Sequence, residues 1–175
     1  ELKLALVMEL CGVDTAQAAR IYRQYGSQAI AIISENPYQL CRDIWGIGFK
    51  TADGVAMSVG VPPQSKLRAR AGLVYTMETL ADEGHCFCLD AELILQGQAL
   101  LDIPAEILAE ALDNELERHA LVRDDQRIYL AALYQAETAV CERLLTLNRT
   151  DRGFRPIVVE KAVPWAERQM KLHFA

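Results

Sequence analysis

A short segment of glycines, a lysine and a threonine combines the residue types that bind phosphate. Gly46 and Gly48 flank Ile47, and Lys50 and Thr51 follow closely. Glycines permit positive φ and let another backbone approach, because they carry no Cβ. The first amides of a helix have no partner within the helix, and the helix dipole adds partial positive charge there. If this segment opens a helix, its amides can hold a phosphate oxygen, with the Lys50 cation and the Thr51 hydroxyl at the rim.

Such contacts would grip a phosphate backbone and carry no base information, so the predicted binding is independent of nucleotide sequence. The spacing fits a second interpretation equally well, in which Gly46 and Gly48 only connect two helices tightly. Three basic residues that come later in the chain, Lys66, Arg68 and Arg70, are expected to extend the track of phosphate contacts. The alternative for each of them is an ordinary solvated surface charge.

An internal repeat with an offset of 34 residues supplies the elements that must position this segment. Residues 10–26 align with residues 44–60, and each copy has the pattern of a helix, a glycine turn and a helix. The turn of the first copy contains Gly12, Val13 and Thr15, which form a secondary candidate contact. The second copy, with two glycines in its turn, is the main candidate.

Periodicity and end signals predict where these helices lie. In the first copy we expect a helix over residues 15–25, ended by Gly26. In the second copy a short helix is expected to begin at Pro37 and to end near residue 44. The next helix is predicted over residues 50–59, ended by Gly60 before a pair of prolines.

The first copy departs from the second at the position that matters most for phosphate. Asp14 stands where the second copy has Gly48. An aspartate there is expected to cap the following helix, which stabilises it by about 0.5–2 kcal/mol. Its carboxylate would compete with a phosphate for the same amides, so the first hairpin is expected to be scaffold or a weak site.

Trp45 lies beside the second hairpin, where two uses compete. Its indole is expected to pack in the core, and the alternative is that it stacks on a nucleobase. Cys86 and Cys88 are two residues apart on a predicted strand, so their side chains share one face. We expect that face to point into the core. Neither these cysteines nor the three histidines form a spacing typical of a metal site.

The second hairpin resembles a helix-hairpin-helix DNA-binding motif, whose turn alternates apolar residues with glycines. A wider match resembles the N-terminal region of RecD-like ATP-dependent DNA helicases, stand-alone superfamily-one enzymes related to the exonuclease V alpha subunit. The segments that carry the resemblance are Gly12-Val13, Ala18-Ala19-Arg20-Ile21-Tyr22, Tyr25-Gly26, Glu35-Asn36-Pro37-Tyr38, Ile44-Trp45-Gly46-Ile47-Gly48-Phe49-Lys50-Thr51-Ala52-Asp53, Ala71-Gly72-Leu73, Glu83-Gly84-His85 and Val159-Glu160-Lys161-Ala162 with Trp165.

The resemblance implies a parent enzyme that unwinds DNA 5′ to 3′ with ATP and Mg²⁺ in DNA repair and recombination. It implies single-stranded or forked DNA and the helicase motor domains of the same chain as partners, and it places Phe49 among the DNA-binding residues. No GxxxxGK[ST] motif occurs in the sequence, so no catalytic residue is predicted. We therefore expect an accessory DNA-binding region without a cofactor of its own.

Composition limits the kind of binding that is feasible. The chain has 175 residues, a net charge of −6 and 51% hydrophobic residues, enough for a hydrophobic core. Because the chain is acidic overall, contact with nucleic acid must be local. No membrane-spanning run and no CxxC pair among the five cysteines is found, so a cytoplasmic location without membrane contact is expected.

The remainder of the chain has the order helix, strand, helix, helix and β-hairpin, which is typical of a winged helix. The predicted fold is mainly α: a tandem helix-hairpin-helix module over residues 1–64, then a winged-helix-like α+β domain with a small β-hairpin over residues 65–133. A helix, a linker and an amphipathic helix follow over residues 134–175. The helix over residues 104–120 holds five acidic residues against Arg118, so it would repel phosphates. The alternative function is therefore a protein-docking module without direct DNA contact.

Overall fold

The computed structural model describes residues 13–149, 157–171 and 173. Within this part of the chain the structure is mainly helical with one small antiparallel sheet, as predicted. The helices are α1 (Thr15–Tyr25), α2 (Ala29–Glu35), α3 (Gln39–Asp43), α4 (Phe49–Ser58), α5 (Lys66–Asp82), α6 (Asp90–Leu101), α7 (Ala105–Glu117), α8 (Ala131–Arg149) and α9 (Val159–Met170). The strands are β1 (Phe87–Leu89), β2 (Leu121–Asp124) and β3 (Arg127–Leu130).

Helix α1 has the bounds that the sequence predicts, because both of its ends carry strong local signals. The Asp14 carboxylate accepts a hydrogen bond from the Gln17 amide at 2.7 Å. The Gln17 side chain accepts one from the Asp14 amide at 3.3 Å, which completes a capping box. At the other end Gly26 has a φ of +59° and closes the helix. The predicted cap at Asp14 is confirmed.

The second copy also forms two helices joined by the glycine turn. Its short first helix, α3, begins two residues after Pro37, and α4 begins one residue earlier than predicted. Helix α2, between the two copies, is a further element that the sequence analysis did not predict. Its run of alanines and isoleucines has no clear helical period. These helices share a core with buried side chains that include Val13, Ile21, Ile33, Leu40, Ile44, Ile47 and Val55.

The winged-helix order is confirmed by the sheet and by the helices around it. The strands have the order β1-β3-β2, and both pairs are antiparallel. Cys88 pairs with Ile128, and Val122 pairs with Tyr129. Helices α5, α6 and α7 pack on each other with a core that includes Leu73, Leu93, Leu108 and Leu112. This core is continuous with the core of the hairpins.

Helix α5 buries only part of the face that the periodicity predicts. The spacing of Leu67, Ala71, Val74 and Met77 predicts that these residues face the core; Met77 is buried, whereas the other three are only partly buried. The buried residues of α5 are Ala69, Gly72, Leu73, Thr76 and Met77. A close approach explains the difference. A Cβ on Gly72 would lie 2.4 Å from a methyl group of Leu101, so α6 packs directly against this glycine.

Residues 1–138 and 139–175 form two separate units. In the second unit, α9 contains Pro164 and has no buried residue. None of the described helices has both the length and the apolar character needed to cross a membrane. The first helix of the first copy and most of the predicted linker lie outside the described residues. The predicted boundaries at residues 64 and 133 stay predictions.

Candidate nucleic-acid interface

The second hairpin turns through a tight four-residue loop. The Ile47 amide donates a hydrogen bond to the Ile44 carbonyl at 3.2 Å, with Trp45 and Gly46 between them. Gly46 has a φ of +86°, a region that side chains with a Cβ rarely adopt. A Cβ at this position would also lie 2.7 Å from Nη1 of Arg20. The fold itself therefore requires glycine at position 46.

Two side chains of helix α1, in the first copy, donate hydrogen bonds to carbonyls of this turn. Nη1 of Arg20 donates to the Trp45 carbonyl at 2.8 Å, and Nε2 of Gln17 donates to the Gly46 carbonyl at 3.3 Å. The Ile47 side chain is 3% exposed and anchors the turn in the core. The first hairpin thus acts as scaffold for the second. The roles of Gln17 and Arg20 could not be predicted from the sequence, because their partners lie 29 and 25 residues away and leave no local signal.

Neither the backbone conformation nor the packing of the described chain requires glycine at position 48. Its φ of −91° and ψ of 175° are extended values that any residue adopts. A Cβ built there would meet no atom within 4 Å. Gly48 is the N-cap of α4, a position where Ser, Thr, Asp, Asn and also Gly are favoured, and no side chain caps the helix. The conformational freedom expected for both glycines is therefore used at Gly46 and is not needed at Gly48.

The amides at the start of α4 are open in the described structure. No acceptor within residues 13–149 receives a hydrogen bond from the amides of Gly48, Phe49 or Lys50, and the first bond of the helix runs from the Ala52 amide to the Gly48 carbonyl. Ile47 differs, because its amide is already used in the turn. Of the predicted hairpin contacts, Ile47 therefore has a structural role and cannot offer its amide.

The side chains around these amides divide between core and surface. Phe49 is 6% exposed and stacks between Tyr38 and Tyr75, with ring centroids 5.9 and 4.9 Å away. Only its amide is therefore placed to face a ligand. Lys50 is exposed and forms no ion pair with the described residues, whereas Thr51 is half-buried. The role of Lys50 as a cation at the rim stays a prediction.

Trp45 corrects a prediction, because its indole does not pack in the core. It sits at the tip of the turn with 91% of its surface exposed. The Arg20 bond to its carbonyl holds the backbone and leaves the side chain outside. The apolar character of tryptophan suggests that the side chain is buried. The repeat places Trp45 directly in the turn, and there the indole is exposed.

Arg68 is not part of an open phosphate track. Its guanidinium donates to the Asp53 carboxylate at 2.9 and 3.0 Å, and the ion pair is largely buried. The same group donates to the Pro63 carbonyl at 3.0 Å and to the Leu101 carbonyl at 2.7 Å. The Tyr38 hydroxyl completes the network by donating to Asp53 at 2.7 Å. Burial, with this hydrogen bond, raises the pKa of Tyr38. Arg68 thus joins the second hairpin to α5 and α6.

The other two predicted track residues are also ion-paired within the chain. Arg70 contacts the buried carboxylate of Glu115 at 2.5 Å, and Lys66 contacts Glu110. We therefore leave Arg68 and Arg70 out of the candidate interface, and Lys66 can join it only by giving up its pair.

The same ion pairs partly neutralise the acidic side chains of helix α7. Three of its five acidic side chains have basic partners, in the pairs Lys66–Glu110, Arg123–Asp113 and Arg70–Glu115. Its surface is therefore less acidic than the sequence suggests, since these charges are locally balanced.

The first hairpin offers less to a phosphate than the second. Val13 is buried and Thr15 is exposed, while Gly12 lies outside the described residues. The Asp14 carboxylate occupies the Gln17 amide at the start of α1. This is the competition expected from the sequence.

The described residues contain no group of three His, Cys, Asp or Glu side chains that could hold a metal. Cys88 lies in the core, and burial raises the pKa of its thiol to about 11. Cys86 is exposed and precedes the strand, so the prediction that both cysteines point inward is wrong for Cys86.

A comparison with known protein families agrees with this architecture. Residues 2–87 match the family model described as the ATP-dependent RecD2 DNA helicase HHH domain. This part of the chain is similar to the helix-hairpin-helix domain of RecD2 helicases. The match covers both hairpins and continues through α5 to the start of β1, so it includes the helix that carries Arg68. The RecD2-type domain is thus the part of the chain in which the open helix terminus lies.

Proposed function

We propose that the RecD2-type domain binds the phosphate backbone of DNA through the second hairpin, without reading base sequence. The single observation that carries this proposal is Gly48. A glycine at this exposed N-cap has an ordinary φ and empty space around its missing side chain, so neither backbone conformation nor packing requires it. It does keep the approach to the first amides of α4 open. A phosphate oxygen is the ligand that such a helix terminus suits.

The two copies of the repeat form a natural comparison. At equivalent positions the first copy has Asp14, which caps its helix, and the second has Gly48, which does not. A carboxylate in the first copy already occupies the place that a phosphate would take in the second. In this proposal the first hairpin supports the fold, and the second hairpin contacts the phosphate.

The binding chemistry needs few groups. The unpaired amides of Gly48, Phe49 and Lys50 supply donors, and the N-terminal end of α4 supplies roughly half a positive charge from its dipole. The Lys50 ammonium adds one mobile cation beside them. None of these groups can distinguish bases, because phosphates are the same at every step.

In the wider proposal, this region serves a RecD-like helicase that moves 5′ to 3′ in DNA repair or recombination in the cytoplasm. ATP and Mg²⁺ would act in the motor domains of the same chain, since the present sequence has no phosphate-binding loop. The protein-docking alternative rests on the acidic face of α7. The local pairing of that face with Lys66, Arg70 and Arg123 leaves it with less support.

Gly48→Asp tests the proposal in the chain as it stands. The new carboxylate should cap α4 as Asp14 caps α1, so thermal stability should stay equal or rise slightly. Fluorescence anisotropy with labelled oligonucleotides should show DNA affinity at least about tenfold lower, because the carboxylate takes the amides and repels phosphate.

Two control variants separate the effect of a capping carboxylate from the effects of added charge and added side-chain size. Gln24→Glu adds the same charge at the far end of α1, and it should leave affinity within about twofold. Gly48→Ala adds one methyl group but no carboxylate, and it should bind between wild type and Gly48→Asp. Wild-type affinity in a folded Gly48→Asp chain contradicts the proposed contact.

A further inference from the structure

The exposed indole of Trp45 is a feature that neither the fold nor the phosphate contact uses. It is 91% exposed, the highest fraction among the exposed large hydrophobic residues that the structure describes. The turn needs its backbone, since Nη1 of Arg20 bonds its carbonyl. The turn does not need its side chain, because the Ile44 and Ile47 side chains anchor the loop in the core. A tryptophan in full contact with water leaves a large apolar surface unburied.

The position of the indole is as informative as its exposure. Trp45 precedes Gly46 at the tip of the turn, and the open amides begin three residues later at Gly48. The carbonyls of Trp45 and Gly46 face α1, where Arg20 and Gln17 bind them. One end of the loop is thus fixed to the scaffold. The indole and the uncapped helix start lie together on a short, rigid loop.

An exposed indole beside a phosphate-binding turn has a natural partner in a nucleobase. Every base has a flat π face, so stacking on an aromatic side chain tolerates any sequence. In an intact duplex the base faces are stacked on each other and the phosphates lie outside. A side chain that extends from a phosphate contact can reach a base face only where the base is unpaired.

We infer that Trp45 stacks on an unpaired base of the strand whose phosphate is held by the α4 amides. The inference rests on the proposed phosphate contact. It adds that the bound strand has at least one unpaired base. The hairpin would prefer single-stranded or frayed DNA over blunt duplex, and Trp45 would set that preference. Lys50 and the amides would contribute equally to both forms.

The two tryptophans of the chain make a direct test practical. Trp45 and Trp165 are the only ones in the sequence, so Trp165→Phe leaves Trp45 as the sole indole. In this background, the emission of Trp45 should be quenched on saturation with a twenty-residue oligothymidylate. A blunt duplex at equal phosphate concentration should leave the emission nearly unchanged. Unchanged emission at saturation with the single strand, as judged by anisotropy, overturns the inference.

Affinity measurements separate this inference from the proposed phosphate contact. Trp45→Ala should lower single-strand affinity about tenfold and leave duplex affinity within twofold, whereas Trp45→Phe should retain most of the single-strand affinity. Gly48→Asp should lower both affinities. If Gly48→Asp weakens binding and Trp45→Ala does not, the phosphate contact stands and the stacking role is wrong. If the wild-type chain binds neither DNA, both proposals fail.

Discussion

At the scale of single residues, the two glycines of the hairpin stand in different structural environments. Gly46 serves the fold, through a φ of +86° and the closeness of Arg20. Gly48 has an ordinary backbone and open space, so its lack of a side chain matters to whatever approaches from outside. The sequence pattern shows both glycines and cannot tell these reasons apart, because φ and the neighbours of a turn are set by packing.

Gly46→Ala should destabilise the protein by about 1–3 kcal/mol. An alanine must adopt the left-handed region, and its Cβ must displace the Arg20 guanidinium that supports the turn. Urea unfolding followed by circular dichroism measures the change. Gly48→Ala is the matched control, with a smaller expected loss of under about 1 kcal/mol, because only the weaker N-cap preference of alanine is at stake. Equal losses in the two variants would contradict the distinction between the glycines.

The cysteines offer a second test at this scale. Burial, together with the charge of Glu78, raises the pKa of the Cys41 thiol to about 11, whereas the Cys86 side chain is exposed. Iodoacetamide at pH 8 should therefore modify Cys86 well before Cys41, and the Cys41 rate should keep rising toward pH 11. Peptide mapping by mass spectrometry gives both rates. Similar rates at pH 8 would show that Cys41 is more accessible than the structure has it.

The sign of the linked stability effect follows from the same shift. In the unfolded chain the Cys41 thiol loses its proton near pH 8.5, but in the folded chain it keeps the proton until about pH 11. The unfolded state is thus favoured progressively as pH rises through this window. This part of the stability is fully present below about pH 8 and is lost above it.

At the scale of elements, the network around Asp53 connects α4 with α5 and α6. Arg68 contributes three bonds to Asp53 and one each to the Pro63 and Leu101 carbonyls. Tyr38 contributes a further bond to the same carboxylate. The start of α5 is therefore tied to the hairpin that carries the candidate interface.

Arg68→Ala should cost about 3–5 kcal/mol of stability, because it leaves the carboxylate of Asp53 largely buried without its partner. The double variant Asp53→Ala, Arg68→Ala should cost less than the sum of the two single changes. Lys66→Ala is the control, since its ion pair with Glu110 is mostly exposed and contributes under about 1 kcal/mol. Thermal unfolding of the four variants checks these values. A loss for Arg68→Ala no larger than for Lys66→Ala would contradict the role of the network.

The elements also show how far sequence reasoning reaches. Helix α1 was predictable to the residue, because Asp14 and Gly26 mark its ends by local chemistry. The face of α5 was not, because Leu101, nearly thirty residues from Gly72, decides which side packs. The site follows the same division. The glycine turn and the helix start of the candidate site could be predicted from spacing, whereas the burial of Arg68 depends on a tertiary partner.

At the scale of the whole molecule, net charge sets the expected strength and salt response of binding. The chain carries a charge of −6, and Lys66, Arg68 and Arg70 are paired within it. The proposed interface therefore has few groups for neutralising phosphates. Specific geometry at one helix start, and not a broad basic face, must supply the affinity.

The logarithm of the binding constant should fall with the logarithm of salt concentration with a slope between about −1 and −2. Contact with two or three phosphates of a single strand gives this value. Anisotropy titrations at several salt concentrations measure the slope, and Lys50→Glu should make it shallower. A slope steeper than about −4 would indicate a broad cationic surface, which residues 13–149 do not form.

The central claim is that the backbone amides at the start of α4 bind phosphate, and nuclear magnetic resonance reports on those amides one at a time. In a titration of the ¹⁵N-labelled chain with a short oligothymidylate, the amide signals of Gly48, Phe49 and Lys50 should shift most. The Gln17 amide, which Asp14 already occupies, should stay nearly unchanged. Shifts that leave residues 48–50 unaffected and fall on α7 or elsewhere, at DNA concentrations where binding is saturated, would contradict the account.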